Sequence, residues 1–287
     1  MIAAALRLMR PANVVTAYGD IVAGYAAAAV IAPGCLIALL AATTGLYAGG
    51  VMLNDVFDAK LDAIERPERP IPGGAICRRT AAWLGAVLLA GGVGAGFSCS
   101  LTGGLIALAT ALAVVTYDSI GKHHAILGPF NMGLCRGLNL LLGFSLGFST
   151  QPARLPVGLV TLCYIAGVTV LSRGEVKGGT RTAAVFSASW LACSVLVLTY
   201  LGVTNSHGML FAAPFLVLLI FRVMSPFARA FATLEPKNIR LAVKTGVLSL
   251  ILLDASLAAL FGGPWYGLAV LALYVPAMLL AKLYAVT

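Results

Sequence analysis

Charged residues are scarce in this chain of 287 residues, since only 10% are Asp, Glu, Lys or Arg, and only 10 residues are acidic. Soluble domains carry about 25% charged and roughly 45–50% apolar residues. Here 60% of the residues are hydrophobic. This composition excludes an ordinary soluble domain and predicts a protein that lies within a lipid bilayer.

Metal ligands other than oxygen are also few. The six cysteines are scattered without any C-x-x-C pair, and the three histidines show no metal-binding spacing, so a zinc or thiol redox site is not expected. A cleavable signal peptide is not evident, because the first apolar run is too long for one. No soluble domain, linker or clear repeat divides the sequence, and residues 1–287 are predicted to form a single transmembrane domain.

Long apolar runs fill most of the chain. A membrane-spanning helix needs about 20 mostly apolar residues, with a range of about 17–25. Ten runs near this length lie at about 11–31, 34–53, 80–97, 100–116, 128–149, 155–172, 182–201, 205–221, 245–261 and 264–281. Between them, long polar loops are expected at about 54–79, 117–127, 173–181 and 222–244.

The basic residues indicate how these spans are oriented. If the N-terminus is cytoplasmic, all of the 19 Lys and Arg residues except Arg136 and Arg154 fall on the cytoplasmic side, as the positive-inside rule predicts. We therefore predict a multi-pass protein of the cell (inner) membrane, with both termini in the cytoplasm. The net charge of +9 then reflects orientation and contact with membrane lipids, and nucleic acid is not an expected partner.

Acidic residues are concentrated just after the second span, where residues 54–68 hold half of the acids in the chain. Asn54, Asp58 and Asp62 recur every four residues, so a helix would place their oxygen atoms on one face. Oxygen ligands suit Mg²⁺, especially when a substrate phosphate completes its coordination. An acidic helix end at a membrane surface would show the same pattern.

Two other regions carry polar side chains where few are expected. Asn131, Arg136 and Asn139 lie in the fifth span, where they would either contact a substrate or make hydrogen bonds between helices. For Asp20 and Asp254 we favour the structural interpretation. The loop after the sixth span contains Arg173, Glu175, Lys177 and Arg181, which suits a diphosphate with Glu175 as a metal ligand, although an ordinary cytoplasmic loop looks similar.

Together these residues resemble the UbiA superfamily of intramembrane prenyltransferases. The family pattern N-x-x-x-D-x-x-x-D is matched by Asn54, Asp58 and Asp62. The R-P-x-R-P-I-P-x-G extension that follows, at residues 66–74, looks most like the branch of chlorophyll synthases and archaeal digeranylgeranylglyceryl phosphate synthases. Tyr117 and Lys122 match the loop after the fourth helix, and Asn13 lies where the first helix usually starts. The sequences G-P-F-N-M-G-L-C-R-G-L-N and S-R-G-E-V further along the chain resemble those of the UbiA-like proteins called EboC.

The resemblance implies an all-α, polytopic transmembrane bundle of nine to ten helices with a central cavity. It also implies Mg²⁺-dependent transfer of a prenyl group from a prenyl diphosphate to an unknown lipophilic acceptor. The implied metal ligands are Asn54, Asp58, Asp62 and Glu175, with Asp58, Asp62 and Tyr117 as catalytic residues. The implied substrate-binding residues are Asn13, Arg66, Arg69, Lys122, Asn131, Arg136, Arg173 and Lys177.

The sequence departs from the family pattern in two places. Where a second D-x-x-x-D is usual, this chain has Glu175 and then Gly179, and its ten apolar spans exceed the usual nine helices. Because this second acidic motif lacks one carboxylate, an alternative remains open, namely a non-catalytic UbiA-like protein that binds or helps export a hydrophobic metabolite. A transporter without prenyl chemistry fits less well because the acids cluster at one surface. The D-G-x-x-A-R opening of phosphatidyl-type alcohol transferases is absent.

Overall fold

The computed structural model describes residues 2–283, and these residues form twelve α-helices without any β-strand. In chain order the helices are α1 (Ile2–Met9), α2 (Pro11–Ala28), α3 (Pro33–Glu65), α4 (Arg78–Cys99), α5 (Leu101–Ser119), α6 (Leu127–Gly143), α7 (Val157–Ser172), α8 (Arg181–Thr204), α9 (Ser206–Thr233), α10 (Pro236–Gly262), α11 (Pro264–Ala272) and α12 (Tyr274–Leu283). The predicted all-α class is confirmed.

Each of the ten predicted apolar runs is covered by a helix, with α11 and α12 sharing the last one. Within residues 2–283, seven helices are long and apolar enough to cross a membrane, namely α3, α4, α5, α7 (with the 3-10 turn before it), α8, α9 and α10. Proline at the first position of α2, α3, α10 and α11 helps to set the helix starts, because its missing N–H is not needed there.

Two of the predicted polar loops are largely helical. Helix α3 continues without a break from the second span through Asn54 to Glu65. The loop predicted at 222–244 is wrong, because α9 and α10 leave only Leu234 and Glu235 between them. Buried Phe227 and Ile239 give this charged stretch an apolar face that packs in the bundle, and Leu234 reverses the chain with a φ of 57°.

Contacts between connections show that successive helices run in alternate directions. At one end, Arg173 donates to the carbonyl oxygen of His124, and the amide of Gly179 donates to the carbonyl oxygen of Leu234 at 2.9 Å. At the opposite end, Asn205 donates to the carbonyl oxygen of Leu260 at 2.9 Å. We call the first end, which carries the end of α3 and residues 66–77, 120–126 and 173–180, the polar end.

Helix α10 lies at the centre of the bundle, where Leu250, Ile251 and Leu257 are fully buried. Helices α8 and α9 are peripheral and expose large apolar side chains. Helices α3 and α4 pack closely at Gly92, where a Cβ would lie 2.8 Å from the carbonyl oxygen of Ala42 on α3.

Candidate active site

A cavity of about 390 Å³ lies between α2, α3, α5, α6, α7 and α10. Its walls are mainly apolar and include Leu46, Val114, Ile165 and Val247. Polar side chains cluster at the polar end of the cavity, where the lining includes Arg10, Asn13, Asn54, Tyr117, Asp118 and Glu175. A second polar group lies deeper and comprises Thr16, Thr43, Tyr47, Arg136 and Asn139.

The end of α3 carries three carboxylates, which form ion pairs with basic side chains, and the amide of Asn54, which bonds to α5. Asp55 lies 2.9 Å from Arg10 and 3.2 Å from Arg69, and Asp62 lies 2.8 Å from the same guanidinium of Arg69. Both aspartates are 5% exposed. Arg69 therefore joins two acids that are seven residues apart on one helix.

The remaining acid of the predicted ladder faces the loop after α5. Asp58 accepts a hydrogen bond from the ammonium of Lys122 at 2.5 Å, across a sequence separation of 64 residues. Asn54, one turn earlier, donates through Nδ2 to Asp118 Oδ1 at 2.8 Å. The structure thus brings Asn54, Asp58 and Lys122 together at the junction of α3 and α5, whereas Asp62 turns toward Arg69.

Asp118 is a site residue that the sequence did not single out. It is 3% exposed, it lines the cavity, and its buried Oδ2 atom has no hydrogen-bond partner among residues 2–283. An unpartnered buried oxygen is costly unless a ligand or proton satisfies it. One available signal was its place beside Tyr117 at the end of a span, in a chain with few acids.

The loop after α7 closes the polar end of the cavity. Glu175 lines the cavity and is half-buried; burial raises its pKa above the ordinary value, and the charges of Arg240 and Arg66 oppose that rise. Arg173 donates to the carbonyl oxygens of Lys122 at 3.3 Å and of His124 at 2.5 Å, so it ties this loop to the one after α5. Lys177 and Arg66 are exposed.

The deeper polar group fits both roles considered for the polar residues of the fifth span, which is α6, namely hydrogen bonds between helices and contact with a substrate. Arg136 lies 3.3 Å from Asp20 and donates to Thr16 Oγ1 at 3.2 Å, while Asn139 donates to Asp20 Oδ2 at 2.8 Å. These are bonds between helices. Arg136 and Asn139 nevertheless line the cavity as well, and the buried Nη1 atom of Arg136 has no hydrogen-bond partner within the described part of the chain. Asn131 is not among the cavity-lining residues.

Comparison with known proteins identifies the family. A sequence model of the UbiA prenyltransferase family matches residues 13–241, which is most of the chain. The chain belongs to the UbiA prenyltransferase family. The match begins at Asn13 on α2 and ends in α10, so it includes the cavity-lining residues of α2, α3, α5, α6 and α7 in this UbiA-family protein, while those of α10 lie beyond it.

Curated relatives are digeranylgeranylglyceryl phosphate synthases. The protein of Methanoregula boonei is 34% identical over 177 residues, which cover 61% of this chain and 63% of that protein. The protein of Methanosarcina mazei is 35% identical over 129 residues, covering 45% of this chain and 43% of that one. The UbiA-family chain thus aligns with less than two thirds of the length of these relatives.

Solved structures share the fold. A structure of digeranylgeranylglyceryl phosphate synthase has a TM-score of 0.70 at 20% identity and covers 92% of this chain and 99% of its own. A UbiA homologue from Aeropyrum pernix K1 has a TM-score of 0.68 at 16% identity, covering 84% and 97%. A UbiA homologue from Archaeoglobus fulgidus bound to GPP and Mg²⁺ has a TM-score of 0.56 at 13% identity, covering 94% and 99%. These structures establish the UbiA-type helical bundle, and the family match together with the seven long apolar helices indicates an integral, multi-pass membrane protein.

The donor atoms at the polar end fit Mg²⁺ chemically. The residues with free or cavity-facing oxygens are Asn54, Asp118 and Glu175, with Asp58 close by, and such all-oxygen sets are typical of Mg²⁺. Among residues 2–283, no three acidic, histidine or cysteine side chains already converge as a metal site. In this arrangement Asp55, Asp62 and Asp58 are instead paired with Arg10, Arg69 and Lys122, respectively.

Proposed function

We propose that this protein transfers a prenyl group from a prenyl diphosphate to a lipophilic acceptor within the membrane. One observation carries the proposal: a mainly apolar cavity whose metal-binding oxygen atoms gather at the polar end, beside the ion-paired Arg10, Arg69 and Lys122. An amphiphile with a charged head and a hydrocarbon chain matches this division. A prenyl diphosphate has that shape and charge, and its reactive carbon lies next to the head.

The cations of the polar end suit the diphosphate. Arg69 and Lys122 lie beside the carboxylates of α3, and Arg10 lines the cavity. Arg66, Arg173 and Lys177 stand in the surrounding loops, and we assign them to the same head group with Asn13. Guanidinium and ammonium groups bind phosphate oxygens through charge-assisted hydrogen bonds, which are shorter and stronger than neutral ones. Charge on the departing diphosphate would be stabilised in this way.

We assign metal binding to Asn54, Asp58, Asp62 and Glu175, and we add Asp118. Bound Mg²⁺ neutralises diphosphate charge and makes the diphosphate a better leaving group. Asp62 can bind the metal only if its carboxylate is released from Arg69. The oxygen atoms of the diphosphate would attract Arg69 and so free Asp62. Support for Asp118 comes from its unpartnered Oδ2 and its bond to Asn54.

The reaction breaks the bond between the first prenyl carbon and the diphosphate oxygen, and the diphosphate leaves with the electron pair. The acceptor atom then forms a bond to that carbon and releases its proton. The apolar lining around Val114 and Ile165 excludes water from the electron-deficient carbon, so that water does not replace the acceptor. Tyr117 lines the cavity beside Asp118, next to the proposed leaving group, and Arg136 contributes deeper in the cavity.

The acceptor is proposed only as a lipophilic molecule. The named relatives are digeranylgeranylglyceryl phosphate synthases, which favours a lipid-like acceptor. The sequences of the later loops favour a relationship to the EboC proteins instead. We also propose that the N-terminus is cytoplasmic in the cell membrane, since the polar end collects nearly all basic residues. The active site would then face the cytoplasm.

The test is a transfer assay with the purified protein in detergent. Labelled prenyl diphosphates of different length, Mg²⁺ and a lipid extract are incubated with the protein, and the extract is searched for a labelled product. We expect a labelled lipid and an equal amount of free diphosphate, both abolished by EDTA. If labelled diphosphate stays intact with every chain length, the proposed activity is refuted.

A second candidate is a non-catalytic UbiA-like protein that binds or helps export a hydrophobic metabolite. Gly179 favours it, because this glycine stands where the family pattern has a carboxylate. Such a protein would bind prenylated compounds in the same cavity without releasing diphosphate. Binding without turnover in the transfer assay would support this candidate over the enzyme.

A further inference from the structure

The deeper polar group lies a short distance below the polar end of the cavity. Thr16 follows Asn13 by almost one turn of α2, and Tyr47 precedes Asn54 by two turns of α3. A helix rises by about 1.5 Å per residue, which puts the deeper polar group roughly 5–10 Å below the proposed diphosphate site. An acceptor that reaches the reacting carbon from inside the cavity therefore lies beside this group.

Some hydrogen-bonding capacity in the deeper polar group is unused. Arg136 is 6% exposed, and its Nε and Nη2 atoms are taken by Asp20 and Thr16, whereas its Nη1 atom has no partner in residues 2–283. The ring of Tyr47 lies 5.5 Å from the guanidinium carbon, and its hydroxyl group makes no hydrogen bond with the described residues. A hydrocarbon chain offers no oxygen atom to these groups. They suit the acceptor better than the prenyl chain.

The charge of Arg136 is balanced by two buried acids. Asp20 is fully buried and lies 3.3 Å from Arg136. Asp254 on α10 is also fully buried, and a Cβ on Gly19 would lie 2.7 Å from its Oδ2 atom. The two carboxyl groups contact each other, and within the described chain no donor is matched to either oxygen of Asp254. One proton shared between the two carboxyl groups satisfies them, as in other carboxyl pairs that occupy one site.

This balance leaves the deeper polar group without a positive charge for a ligand. Arg136 and the two acids are together neutral when the acids share one proton, and negative when they do not. An anion removed from water without a paired cation is strongly disfavoured. A neutral oxygen atom needs only hydrogen-bond donors, and the hydroxyl group of Tyr47 on the cavity wall is one.

Resting on the proposed transferase function, we propose that the deeper polar group binds a neutral oxygen of the acceptor, in a hydroxyl or carbonyl group. Acceptors that carry a phosphate or a carboxylate at this depth are then rejected. The acceptor would differ in this respect from the phosphate compound in the names of the curated relatives. Tyr47 and Arg136 contact the acceptor, and Asp20 and Asp254 act through Arg136 by setting the charge.

The test compares the binding of tritiated 1-O-octylglycerol and 1-O-octylglycerol 3-phosphate to the purified protein. Mg²⁺ and an unreactive thiolo analogue of C10 prenyl diphosphate are present at saturation, so that the polar end is occupied. We expect the wild type to bind the neutral probe at least about tenfold more tightly, because the phosphate would be buried without a cation.

A tyrosine variant tests the hydrogen bond. Tyr47→Phe removes one hydroxyl group that supports no other residue, so the fold should be kept. Its affinity for the neutral probe should fall roughly three- to tenfold, the usual size of a hydrogen bond between neutral groups. Tyr200→Phe, at a 53% exposed tyrosine outside the cavity, should bind both probes as the wild type does.

A pair of charge variants tests the balance. Asp254→Asn replaces the acid that carries the proton and should keep the preference for the neutral probe. Asp20→Asn combined with Asp254→Asn leaves Arg136 without a carboxylate, and this double variant should prefer the phosphate probe. Asp20→Asn alone is insufficient, because Asp254 lies close enough to Arg136 to take its place.

Equal affinity of the wild type for the two probes, or a preference for the phosphate probe, would overturn the inference. Unchanged affinity of Tyr47→Phe for the neutral probe would also overturn it, whether or not the double variant can be purified. A folded double variant that still prefers the neutral probe would do the same. Binding of the thiolo analogue without binding of either glycerol probe would overturn the inference alone, whereas failure to bind the thiolo analogue would refute the proposed function as well.

Discussion

Arg69 is the residue whose replacement should disturb the acidic end of α3 most. It bridges Asp55 and Asp62, at 3.2 Å and 2.8 Å, and its side chain is 17% exposed against 6% and 7% for the two acids. In Arg69→Ala, Asp55 keeps Arg10 at 2.9 Å. Asp62 loses its ion-pair partner and becomes a nearly buried, uncompensated carboxylate.

The loss of stability in Arg69→Ala follows from the uncompensated charge on Asp62. Breaking a fully buried ion pair from one side costs about 3–5 kcal/mol, because a charge is left without a partner. Partial exposure of Arg69 lowers this, and we expect about 2–3 kcal/mol of destabilisation. Arg79→Ala, at an exposed arginine of the same end of the bundle, should cost less than about 0.5 kcal/mol. For a chain of this size the predicted difference corresponds to a shift of about 4–8 °C in Tm.

Thermal unfolding in one detergent, with both variants and the wild type, measures the shift. Removal of the stranded charge provides the sharper control. Arg69→Ala combined with Asp62→Asn should recover at least about 1 kcal/mol relative to Arg69→Ala alone, a coupling typical of residues in direct contact. Equal Tm values for Arg69→Ala and Arg79→Ala, or no recovery in the double variant, would mean that the buried Asp62 carboxylate does not depend on the charge of Arg69.

Four further outcomes are expected. Glu175→Gln keeps the size of the side chain and removes its charge, so the Mg²⁺ concentration needed for activity should rise; an unchanged Mg²⁺ titration would remove Glu175 from the site. Arg173→Ala and Lys177→Ala should weaken binding of prenyl diphosphate rather than of Mg²⁺. The effect of Arg173→Ala should be the larger one, because it also removes the contact between two loops. Equal diphosphate affinity in both variants and the wild type would leave these cations with a role only in orienting the protein in the membrane. Gly208→Ala should destabilise the fold by about 1–3 kcal/mol in a thermal scan, since its Cβ would overlap the carbonyl oxygen of Leu260, while Gly34→Ala, which meets no atom, should not. A reporter fused to the C-terminus should report a cytoplasmic location, and an external location would mean an odd number of spans.

The sequence was sufficient for the features that depend on local pattern. Apolar runs predicted the helices because each run is itself a nearly complete span, and the four-residue spacing of Asn54, Asp58 and Asp62 predicted a helical face because α3 continues through it. The stretch at 222–244 was misjudged for a local reason as well. Its charges alternate with apolar residues, so that Phe227 and Ala230 on α9 and Ile239 and Ala242 on α10 are still buried, which a count of charges conceals.

The missed features depend on how distant segments pack. Asp118 joins the site because α5 crosses α3 where Asn54 can donate to it, a contact across 64 residues. The partner of each acid follows from the same crossings: Lys122 reaches Asp58, whereas Arg69 turns to Asp55 and Asp62. Likewise, Arg136 bonds to neighbouring helices and lines the cavity, so the two interpretations offered by the sequence were not exclusive.

We propose that the carboxylates of α3 serve a metal-dependent cleavage of prenyl diphosphate. Release of labelled diphosphate by purified wild type, Asp58→Ala and Asp62→Ala, each with and without Mg²⁺, tests it most directly. We expect release by the wild type only when Mg²⁺ is present. Neither variant should release diphosphate, although both should insert into the membrane and be purified as folded proteins. Release by both variants at the rate of the wild type, or release by the wild type without any divalent cation, would contradict it.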